Sequence, residues 1–185
     1  MTKKDILDLI EKDPWMIGVL KIAGKMELPD WLISAGFVRN KVWDHLHGYE
    51  KNTPPTDIDL VYFDKENKFD EKEIENKLKS LMSEVTWEVV NQASAHHWNE
   101  ESPYASTADA LSKWPETATA VGVSLKNGQL TLVAPLGIQD LVSMIIRPTP
   151  AFMLSERKRA RVRERIIQKR WQEKWPKLTI ADLPL

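Results

Sequence analysis

Residues 34–64 read SAGFVRNKVWDHLHGYEKNTPPTDIDLVYFD, and this stretch decides the fold. Apolar residues recur at every fourth position from Val38 through Leu46, directly after Gly36. This spacing predicts a flexible glycine turn that leads into a helix. After a Pro-rich loop, the branched and aromatic residues between Ile58 and Phe63 predict a β-strand.

Two carboxylates stand at the start of the predicted strand. Side chains alternate between faces along a strand, so Asp57 and Asp59 share one face, and Ile58 and Leu60 share the other. Neighbouring carboxylates repel each other unless a cation lies between them, and Mg²⁺ is commonly held by one or two carboxylates together with substrate phosphates. We therefore predict a metal site at Asp57 and Asp59. A nucleoside triphosphate would complete it, with the backbone N–H groups after Gly36 facing the phosphates.

The order of these features resembles a known family. A glycine turn, then Val38-Arg39-Asn40 on a helix, then Asp57-Ile58-Asp59 on a strand resemble the head of the DNA polymerase beta type nucleotidyltransferases. From about residue 31 to residue 178, the chain is similar to bacterial proteins called nucleotidyltransferase family proteins, most of which have no assigned substrate. The similarity includes Asn91-Gln92-Ala93, Trp114-Pro115-Glu116-Thr117-Ala118-Thr119, Ala134-Pro135-Leu136-Gly137 with Asp140-Leu141, and Arg147-Pro148.

The resemblance implies an α/β (α+β) nucleotidyltransferase fold, with a mixed β-sheet flanked by helices. It also implies an enzyme that uses Mg²⁺ or Mn²⁺ to move a nucleoside monophosphate from an NTP to a hydroxyl-bearing acceptor, with release of pyrophosphate. The sequence does not identify the acceptor. A small molecule or a separately folded partner is favoured, because little chain remains beyond the last predicted helix for a second module.

The same resemblance implies roles for individual carboxylates. Asp57 and Asp59 would bind the metals, and a third carboxylate on a neighbouring strand normally completes such a site. Glu88 stands at the right point in the sequence, but Asn91 belongs to the family's motif and alternates in face with Glu88. If Asn91 takes the third position, metal binding weakens. The chain would then be a catalytically weak or inactive nucleotide-binding or interaction protein on the same scaffold.

Nucleotide-binding residues are expected around the glycine turn, with one on the later strand: Ser34, Gly36, Arg39, Asn40 and Asn91. Ser34 fits a plain loop or cap position equally well. Arg39 is the candidate for a phosphate contact, and a structural pair with a carboxylate is the competing role. tRNA nucleotidyltransferases carry a Gly-Gly turn before Val-Arg-Asp, whereas this chain has Ala35 and Asn40 at the first and last of these positions. The backbone N–H groups of the turn remain available as hydrogen-bond donors after such a change.

Composition limits the remaining possibilities. The chain has 185 residues, 42% of them hydrophobic, which suits one domain with N-terminal helices (1–33), a catalytic core (34–150) and a C-terminal basic helix and tail (151–185). A net charge of −1 gives no global reason to expect nucleic acid. The absence of cysteine excludes disulfides and thiolate zinc sites. With no apolar run long enough to span a membrane and no signal peptide, we expect a cytoplasmic protein.

Caps and periodicity predict the flanking elements. Helices are expected at residues 3–12, 14–26 (with Asp13 as cap), 70–83, 106–113, 138–146 and 155–173, and a short helical turn at 31–33. Further strands are expected at 86–92, 119–125 and 129–134, the last two joined by a hairpin turn at 126–128. Residues 93–105 are expected to form an ordered loop.

The last predicted helix is strongly basic between Arg157 and Arg165. Because Glu156, Glu164 and Glu173 are interleaved, a solvated face is the default interpretation, and binding of an RNA backbone or another anionic partner is the alternative. Most of the eight Trp residues suit packing positions. Trp98 and Tyr104 are the aromatic residues that we retain as possible base or substrate contacts.

Overall fold

A mixed five-stranded sheet forms the centre of the computed structural model, which describes residues 1–99 and 101–183. Its strands are β1 (Leu32–Ser34), β2 (Ile58–Tyr62), β3 (Trp87–Asn91), β4 (Gly122–Lys126) and β5 (Gln129–Val133). They lie in the order β3-β2-β1-β4-β5, with β2 and β3 parallel and all other neighbours antiparallel. A separate parallel pair is formed by β6 (Ile145–Ile146) and β7 (Thr179–Ile180).

Helices surround this sheet, so the predicted architecture of a mixed sheet flanked by helices is confirmed. They are α1 (Lys3–Glu11), α2 (Pro14–Gly24), α3 (Gly36–His47), α4 (Glu71–Leu81), α5 (Gln92–Ala95), α6 (Thr107–Ser112), α7 (Gln139–Val142), α8 (Pro150–Met153), α9 (Glu156–Lys169) and α10 (Trp171–Lys174). Two 3-10 turns cover His96–Asn99 and Thr117–Thr119. Asp13 caps α2 as predicted, accepting hydrogen bonds from the Trp15 and Met16 N–H groups. Within the described residues, no helix has the length and apolar character needed to cross a bilayer.

Helix α3 carries the centre of the core behind the sheet. Val42 and Trp43 are fully buried, and the Trp43 indole N–H donates to the Leu141 carbonyl at 3.1 Å. The rings of Trp171 and Trp175 meet the Trp43 ring edge-on, at centroid distances of 6.1 and 5.2 Å. Edge-to-face pairs at this distance add to the apolar burial. The C-terminal part of the described chain is therefore anchored directly on α3.

The strand register brings acidic side chains to one end of the sheet. In β2, Ile58 and Leu60 point into the core and Asp59 lies on the opposite face, as the alternation along the strand predicts. Asp59 pairs with Glu88 on one side and with Ser34 on the other. In parallel strands, directly paired residues share a face, so Asp59 and Glu88 lie side by side.

The prediction of a helical turn at 31–33 is wrong, because the chain forms β1 there. Leu32 and Ile33 are both buried but on opposite faces of the sheet: Ile33 joins the core that includes α3, and Leu32 packs with Val61 and Leu111. A strand that is buried on both faces shows no alternation in its sequence. The strand at the centre of the sheet was therefore hidden by its shortness and by burial on both of its faces.

The helix predicted at 138–146 is also wrong. Helix α7 makes about one turn, and Met144 then adopts a left-handed conformation with φ of 57°. Ile145 and Ile146 pair in β6 with Thr179 and Ile180 instead. Apolar spacing at i, i+3 and i+4 suits a helix, but the pairing partner lies more than thirty residues later, where local pattern gives no information.

Three smaller predictions also need correction. The expected loop at 93–105 contains α5 and a 3-10 turn, although residue 100 lies outside the described residues. The strand expected from residue 119 begins at Gly122, because a 3-10 turn precedes it. The last long helix ends at Lys169, where Arg170 turns left-handed with φ of 50° and starts α10.

The turn before α3 is strained at Ala35, not at Gly36 as the sequence suggested. Ala35 has φ of 49° and ψ of −116°, a conformation that glycine adopts readily and residues with a Cβ rarely adopt. Gly36 is the first residue of α3 and has a different role: a Cβ there would lie 3.3 Å from the Cβ of Pro55. The resemblance places a Gly-Gly pair at these two positions in related enzymes, and the structure gives each position its own physical reason.

We expect Ala35→Gly to stabilise the protein by about 1 kcal/mol. Relief of a strained conformation is worth about 1–3 kcal/mol, and the greater unfolded-state freedom of glycine offsets roughly 0.5–1 kcal/mol of it. Urea denaturation with an unchanged m-value measures the gain. Ala23→Gly, in the last turn of α2, is the matched control and should destabilise, because that position is helical and fully buried. A loss of stability in Ala35→Gly would contradict the strain assigned to this turn.

Candidate active site

A cavity of about 320 Å³ lies where the carboxylate end of the sheet meets the first turn of α3 and the C-terminal helices. Its sheet wall carries Asp57, Asp59 and Glu88. Its second wall is the start of α3, and its third is the inward face of α9 and α10. Segments that are far apart in sequence thus converge on one space that holds both acidic and basic side chains.

Three carboxylates face this cavity because of strand alternation. Asp57, Asp59 and Val61 line it from β2 and the residue before it, and Glu88, Val90 and Gln92 line it from β3 and the residue after it. Asp59 has its pKa raised to about 7, mainly by burial and then by the negative charges of Asp57 and Glu88. The mutual repulsion that the sequence predicts for this pair is therefore present in the folded protein, with Glu88 contributing.

These carboxylates do not form a ready-made metal cage. Across residues 1–99 and 101–183, no three His, Asp or Glu side chains are grouped so that they could hold a metal ion. The donor chemistry nevertheless suits a hard cation, because the side chains offer only oxygen ligands and their charges repel each other. Such a pair needs oxygen atoms from a ligand to complete a coordination shell.

The start of α3 presents backbone donors to the same cavity. No side chain caps this end of the helix, and both Ala35 and Gly36 line the cavity. Uncapped N–H groups and the positive end of the helix dipole favour an anion at this position. The Pro54-Pro55 segment closes over the turn at a distance that only glycine at position 36 permits without a shift.

Arg39 is a buried cation beside these donors. Its guanidinium lies over the Trp171 ring at 4.7 Å and the Trp43 ring at 5.2 Å, and its Nη2 donates to Asn40 Oδ1 at 3.0 Å. Its Nε atom is buried without a hydrogen-bond partner. Among the described residues it has no ion pair with a carboxylate, so the competing structural role for Arg39 is not seen.

Burial lowers the pKa of Arg39 to about 10, and attraction by Glu116 and Asp59 opposes that shift. At neutral pH the guanidinium stays charged, so Arg39 is a desolvated cation at the wall of the cavity, and its buried Nε donor has no partner. A buried charge of this kind gains most from an anionic ligand.

The WPETAT motif also acquires a structural role. Glu116 is completely buried, accepting from Arg165 Nε at 2.7 Å and from the Thr119 hydroxyl at 2.9 Å. Burial disfavours the charge of Arg165, but the field and hydrogen bond of Glu116 more than compensate, and the Arg165 pKa is raised. Because Arg165 belongs to α9, this pair fixes α9 against the cavity.

Comparison with known proteins decides the family. A family model described as Nucleotidyltransferase matches residues 21–180. The chain belongs to this nucleotidyltransferase family. No curated protein sequence matches it significantly.

Solved structures agree with the family assignment. An NMR structure described as a CCA-adding enzyme head domain has 34% sequence identity and a TM-score of 0.85, and the match covers 97% of this chain and 96% of that one. The Thermotoga maritima CCA-adding enzyme complexed with tRNA has 18% identity and a TM-score of 0.58, covering 96% of this chain and 42% of that one. A CCA-adding enzyme in complex with ATP has 16% identity and a TM-score of 0.53, covering 95% and 41%. The nucleotidyltransferase chain thus spans less than half the length of these two enzymes, and at such identities they show the fold alone.

Two residues expected to bind nucleotide lie outside the cavity of this nucleotidyltransferase. Ser34 is fully buried in β1 at a point where a Cβ on Gly122 would come within 2.6 Å of its hydroxyl. Asn91 lies on the opposite face of β3 from Glu88, accepting from the Asp64 N–H at 3.0 Å and donating to the Asp64 carbonyl at 2.8 Å. Asn91 therefore ties the ends of β2 and β3 together through Asp64, whose carbonyl also accepts from the Asn67 N–H in the turn after β2.

The C-terminal helices contribute to the cavity in a way that was not predicted from the sequence. Arg161, Arg165 and Lys169 line the cavity from α9, and Trp171 lines it from α10. The signal was present, because the three basic residues recur at every fourth position and so share one helix face. The interleaved glutamates concealed it. Of the two aromatic residues predicted as possible base or substrate contacts, Trp98 lines the cavity, whereas Tyr104 is buried away from it.

The raised pKa of Asp59 predicts a pH-dependent stability. Its folded-state value of about 7 exceeds the ordinary 3.8, so between these values the folded chain holds more protons than the unfolded chain. Stability contributed by this group therefore falls as the pH rises from about 4 to about 7. Asp59→Asn removes the ionisation, so its melting temperature should exceed that of the wild type at pH 8.

Calorimetric melting from pH 4 to pH 8 measures this difference, which should shrink as the pH is lowered. Asp8→Asn, on the outer side of α1, is the control and should show no comparable gain at pH 8. A difference between Asp59→Asn and wild type that is the same at every pH would contradict the assigned repulsion.

Proposed function

We propose that the protein transfers a nucleoside monophosphate from an NTP to a hydroxyl-bearing acceptor in a Mg²⁺-dependent reaction that releases pyrophosphate. One observation carries this proposal: paired carboxylates, uncapped N–H groups at the start of α3 and a buried unpaired arginine face each other across one cavity. Nucleotidyl transfer needs oxygen ligands for a metal ion on one side of a single space and hydrogen-bond donors for the phosphates on the other side. Family membership supports the reaction class.

Asp57 and Asp59 are the residues that would hold Mg²⁺ or Mn²⁺. Their repulsion raises the pKa of Asp59, and a divalent cation between them would relieve it. When bound, the metal would lower the pKa of the acceptor hydroxyl and neutralise charge on the phosphates. The chain supplies two clear ligands, so oxygen atoms of the triphosphate would fill the remaining positions.

The phosphates would be positioned by the opposite wall. The N–H groups at Gly36 and the guanidinium of Arg39 favour the triphosphate, and Asn40 holds Arg39 in place. Asn40 is itself fixed, since its Nδ2 donates to the Thr53 carbonyl at 3.3 Å. Ser34 and Asn91 lie away from the cavity, and we assign their side chains no contact with the nucleotide.

The chemical step is an in-line displacement at the α-phosphorus. The acceptor oxygen forms a new bond to phosphorus, the bond from phosphorus to the bridging oxygen of the β-phosphate breaks, and pyrophosphate leaves with that electron pair. Glu88, exposed on β3 beside Asp59, would accept the proton of the acceptor hydroxyl. Asp57, Asp59 and Glu88 thereby act as one catalytic face.

The donor and acceptor are also proposals. Solved structures that share the fold include complexes with ATP, with CTP and with tRNA. For this chain we propose an NTP as donor, leaving the base undefined.

A nucleotide-binding protein without transferase activity is the second candidate. It is favoured by one observation, that no three potential ligands in the described chain are grouped as a metal site. It predicts that NTP binds and is released unchanged. Enzyme and binding protein thus differ in whether the α-phosphate becomes attached to another molecule.

A transfer assay separates the two candidates. Purified protein is incubated with each α-labelled NTP, Mg²⁺ or Mn²⁺, and a cell extract as acceptor, and both label transfer and pyrophosphate release are measured. Metal-dependent labelling of an extract component establishes the transferase. If no label is transferred but metal and NTP together raise the melting temperature, the protein binds nucleotide without transferring it.

A further inference from the structure

One end of the cavity is apolar, and the proposed reaction leaves it unassigned. Asp59 and Glu88 line the sheet wall, and two residues further along the same strands the lining changes to Val61 and Val90. Two residues of a strand advance the chain by about 7 Å. This is about the length of the sugar that separates an α-phosphate from its base. We call this part of the cavity the apolar end, and its lining consists of Val61, Val90, Ala95, Trp98, Trp114 and Pro115.

The wall of the apolar end is firmly packed. Val61 is buried against Leu32 and Leu111, and the half-buried Val90 and Trp114 pack against the same cluster. An apolar surface favours an uncharged ring over a phosphate, because a charge that is buried there without a partner costs free energy. The apolar end therefore suits a different part of a nucleotide from the part that the carboxylates and the start of α3 would hold.

An exposed aromatic ring stands at the rim of this end. Trp98 lines the cavity and is 63% exposed, more than any other Trp in the chain. The 3-10 turn that carries it is fixed by His96, whose buried ring packs against Tyr104 and whose Nδ1 lies 3.1 Å from the Ala93 carbonyl. The Trp98 ring is thus presented to solvent by a fixed turn. An exposed ring of this kind can stack on a nucleobase.

A buried amide lines the same cavity without a partner. Gln92 directly follows β3 and is only 3% exposed. In the described part of the chain, its side chain makes no hydrogen bond. Its neighbour Asn91 differs, because the Asn91 amide is bonded to Asp64 on the opposite face. A buried amide without a partner costs free energy that a ligand with hydrogen-bonding groups recovers.

The chemistry of the amide narrows the class of ligand. A Gln side chain offers a donor and an acceptor side by side. The edge of a nucleobase carries neighbouring donors and acceptors, and Gln is one of the side chains that read such an edge with two hydrogen bonds. A packed apolar surface, an exposed aromatic ring and one amide are together the groups that recognise a base.

We propose that the apolar end binds the nucleobase of the donor NTP, with the base stacked on Trp98 and its edge hydrogen-bonded to the Gln92 amide. This inference rests on the proposed transferase function, because the triphosphate is assigned to Gly36, Arg39 and the metal. Gln92 and Trp98 are then the residues that set the preference among bases.

Two probes separate recognition of the base from recognition of the phosphates. One is an α,β-methylene NTP, which lacks the bond that transfer breaks, and the other is inorganic tripolyphosphate, which has no base. Each is titrated with Mg²⁺ by calorimetry without acceptor, using the base that wild type binds best. Gln92→Leu and Trp98→Ala should each weaken the NTP analogue about tenfold, through loss of a hydrogen-bonded edge or of a stacked ring. Binding of tripolyphosphate should stay within about twofold.

Two further variants are matched controls. Trp98→Phe keeps an aromatic ring and should retain most of the affinity for the NTP analogue. Gln129→Leu makes the same substitution at an exposed position of β5 outside the cavity, and it should bind both probes as wild type does.

Melting without ligand distinguishes a binding residue from a structural one. Gln92→Leu should melt at the wild-type temperature or above it, because replacing an unpaired buried amide by an apolar side chain of similar size is neutral or stabilising. A melting temperature well below that of Gln129→Leu would show that the Gln92 amide supports the fold, and it would contradict the proposal.

A change of base preference is the sharpest expected result. In Gln92→Glu the ionised side chain can only accept, and guanine is the base whose edge carries two neighbouring donors. The ranking of the four NTP analogues should therefore shift towards the guanine analogue. An unchanged ranking would show that residue 92 does not read the base, and the proposal would be wrong.

The remaining outcomes also decide. If Gln92→Leu and Trp98→Ala weaken tripolyphosphate as much as the NTP analogue, they act on the phosphate site and the proposal is wrong. If neither variant weakens the analogue but both raise the acceptor KM in the transfer assay, the apolar end belongs to the acceptor, and the transferase function remains while this proposal is overturned. If wild type binds neither probe, the proposal and the proposed function both fail.

Discussion

Asp59→Asn is expected to lower kcat by at least about 10²-fold to 10³-fold, the range measured when one preorganised group that stabilises a transition state is removed. Asp59 stands between Asp57 and Glu88 on the wall that faces Arg39. Asparagine keeps the size of the side chain but loses the negative charge that would hold a divalent cation. The KM for NTP should change less than kcat if the triphosphate is held mainly by the opposite wall.

Single-turnover transfer of labelled nucleotide measures this effect without interference from product release. Asp8→Asn removes a carboxylate from the outer surface of α1 and should retain full activity. The combination expected for Asp59→Asn is unusual for a point substitution, because the variant should have a much lower kcat and yet be more stable than wild type at pH 8. Normal activity in Asp59→Asn would refute the assignment of the carboxylate face.

The largest expected effect on stability belongs to Asp44→Ala. Asp44 is buried in α3, accepting from the Thr53 N–H at 2.5 Å, from the Thr53 hydroxyl at 2.8 Å and from the Trp175 indole at 2.7 Å. One carboxylate therefore joins α3 to the loop before β2 and to the end of α10. Alanine would leave three donors unsatisfied, and we expect a loss of about 3–5 kcal/mol.

For a chain of this size, 1 kcal/mol corresponds to about 2–4 °C in melting temperature, so the shift is measurable by calorimetry. Asp44→Asn is the graded comparison, since its one remaining oxygen can still accept from part of this network. Its loss should lie between those of wild type and Asp44→Ala. A loss below about 1 kcal/mol for Asp44→Ala, typical of surface positions, would show that the network does not hold these elements together.

Local chemistry allowed much of the sheet and the carboxylate face to be predicted from the sequence. Asp13 before Pro14 marked the start of α2, and the Asn127-Gly128 turn marked the hairpin, where both residues adopt positive φ. Side chains alternate between the two faces of a strand, which predicted Asp59 on the other face of β2 from Leu60. The same alternation in β3 places Glu88 towards the cavity and Asn91 away from it. Once the pairing of β2 with β3 is known, the alternation of side chains shows that Glu88, and not Asn91, shares a face with Asp59.

The remaining parts depend on contacts between distant segments. Strand β1 has only three residues, and both of its faces are buried, so its sequence has no period. The partner of β6 lies in β7, and the partner of Glu116 lies in α9, forty-nine residues later. Helical spacing showed that the basic residues of α9 share a face, but only the Glu116 contact shows which way that face points. Tertiary contacts of this kind have no local signature.

The contact between Arg39 and Trp171 has a consequence for when the protein can become active. A ribosome delivers β1, β2 and β3 long before it delivers α10, because the two ends of this contact are separated by most of the chain. A nascent chain whose sheet has folded would have the carboxylates of the cavity. It would still lack the Trp171 ring that packs against Arg39. If the protein is the proposed transferase, nucleotide turnover would begin only after synthesis has passed Trp171, so an incomplete chain would not consume nucleotide.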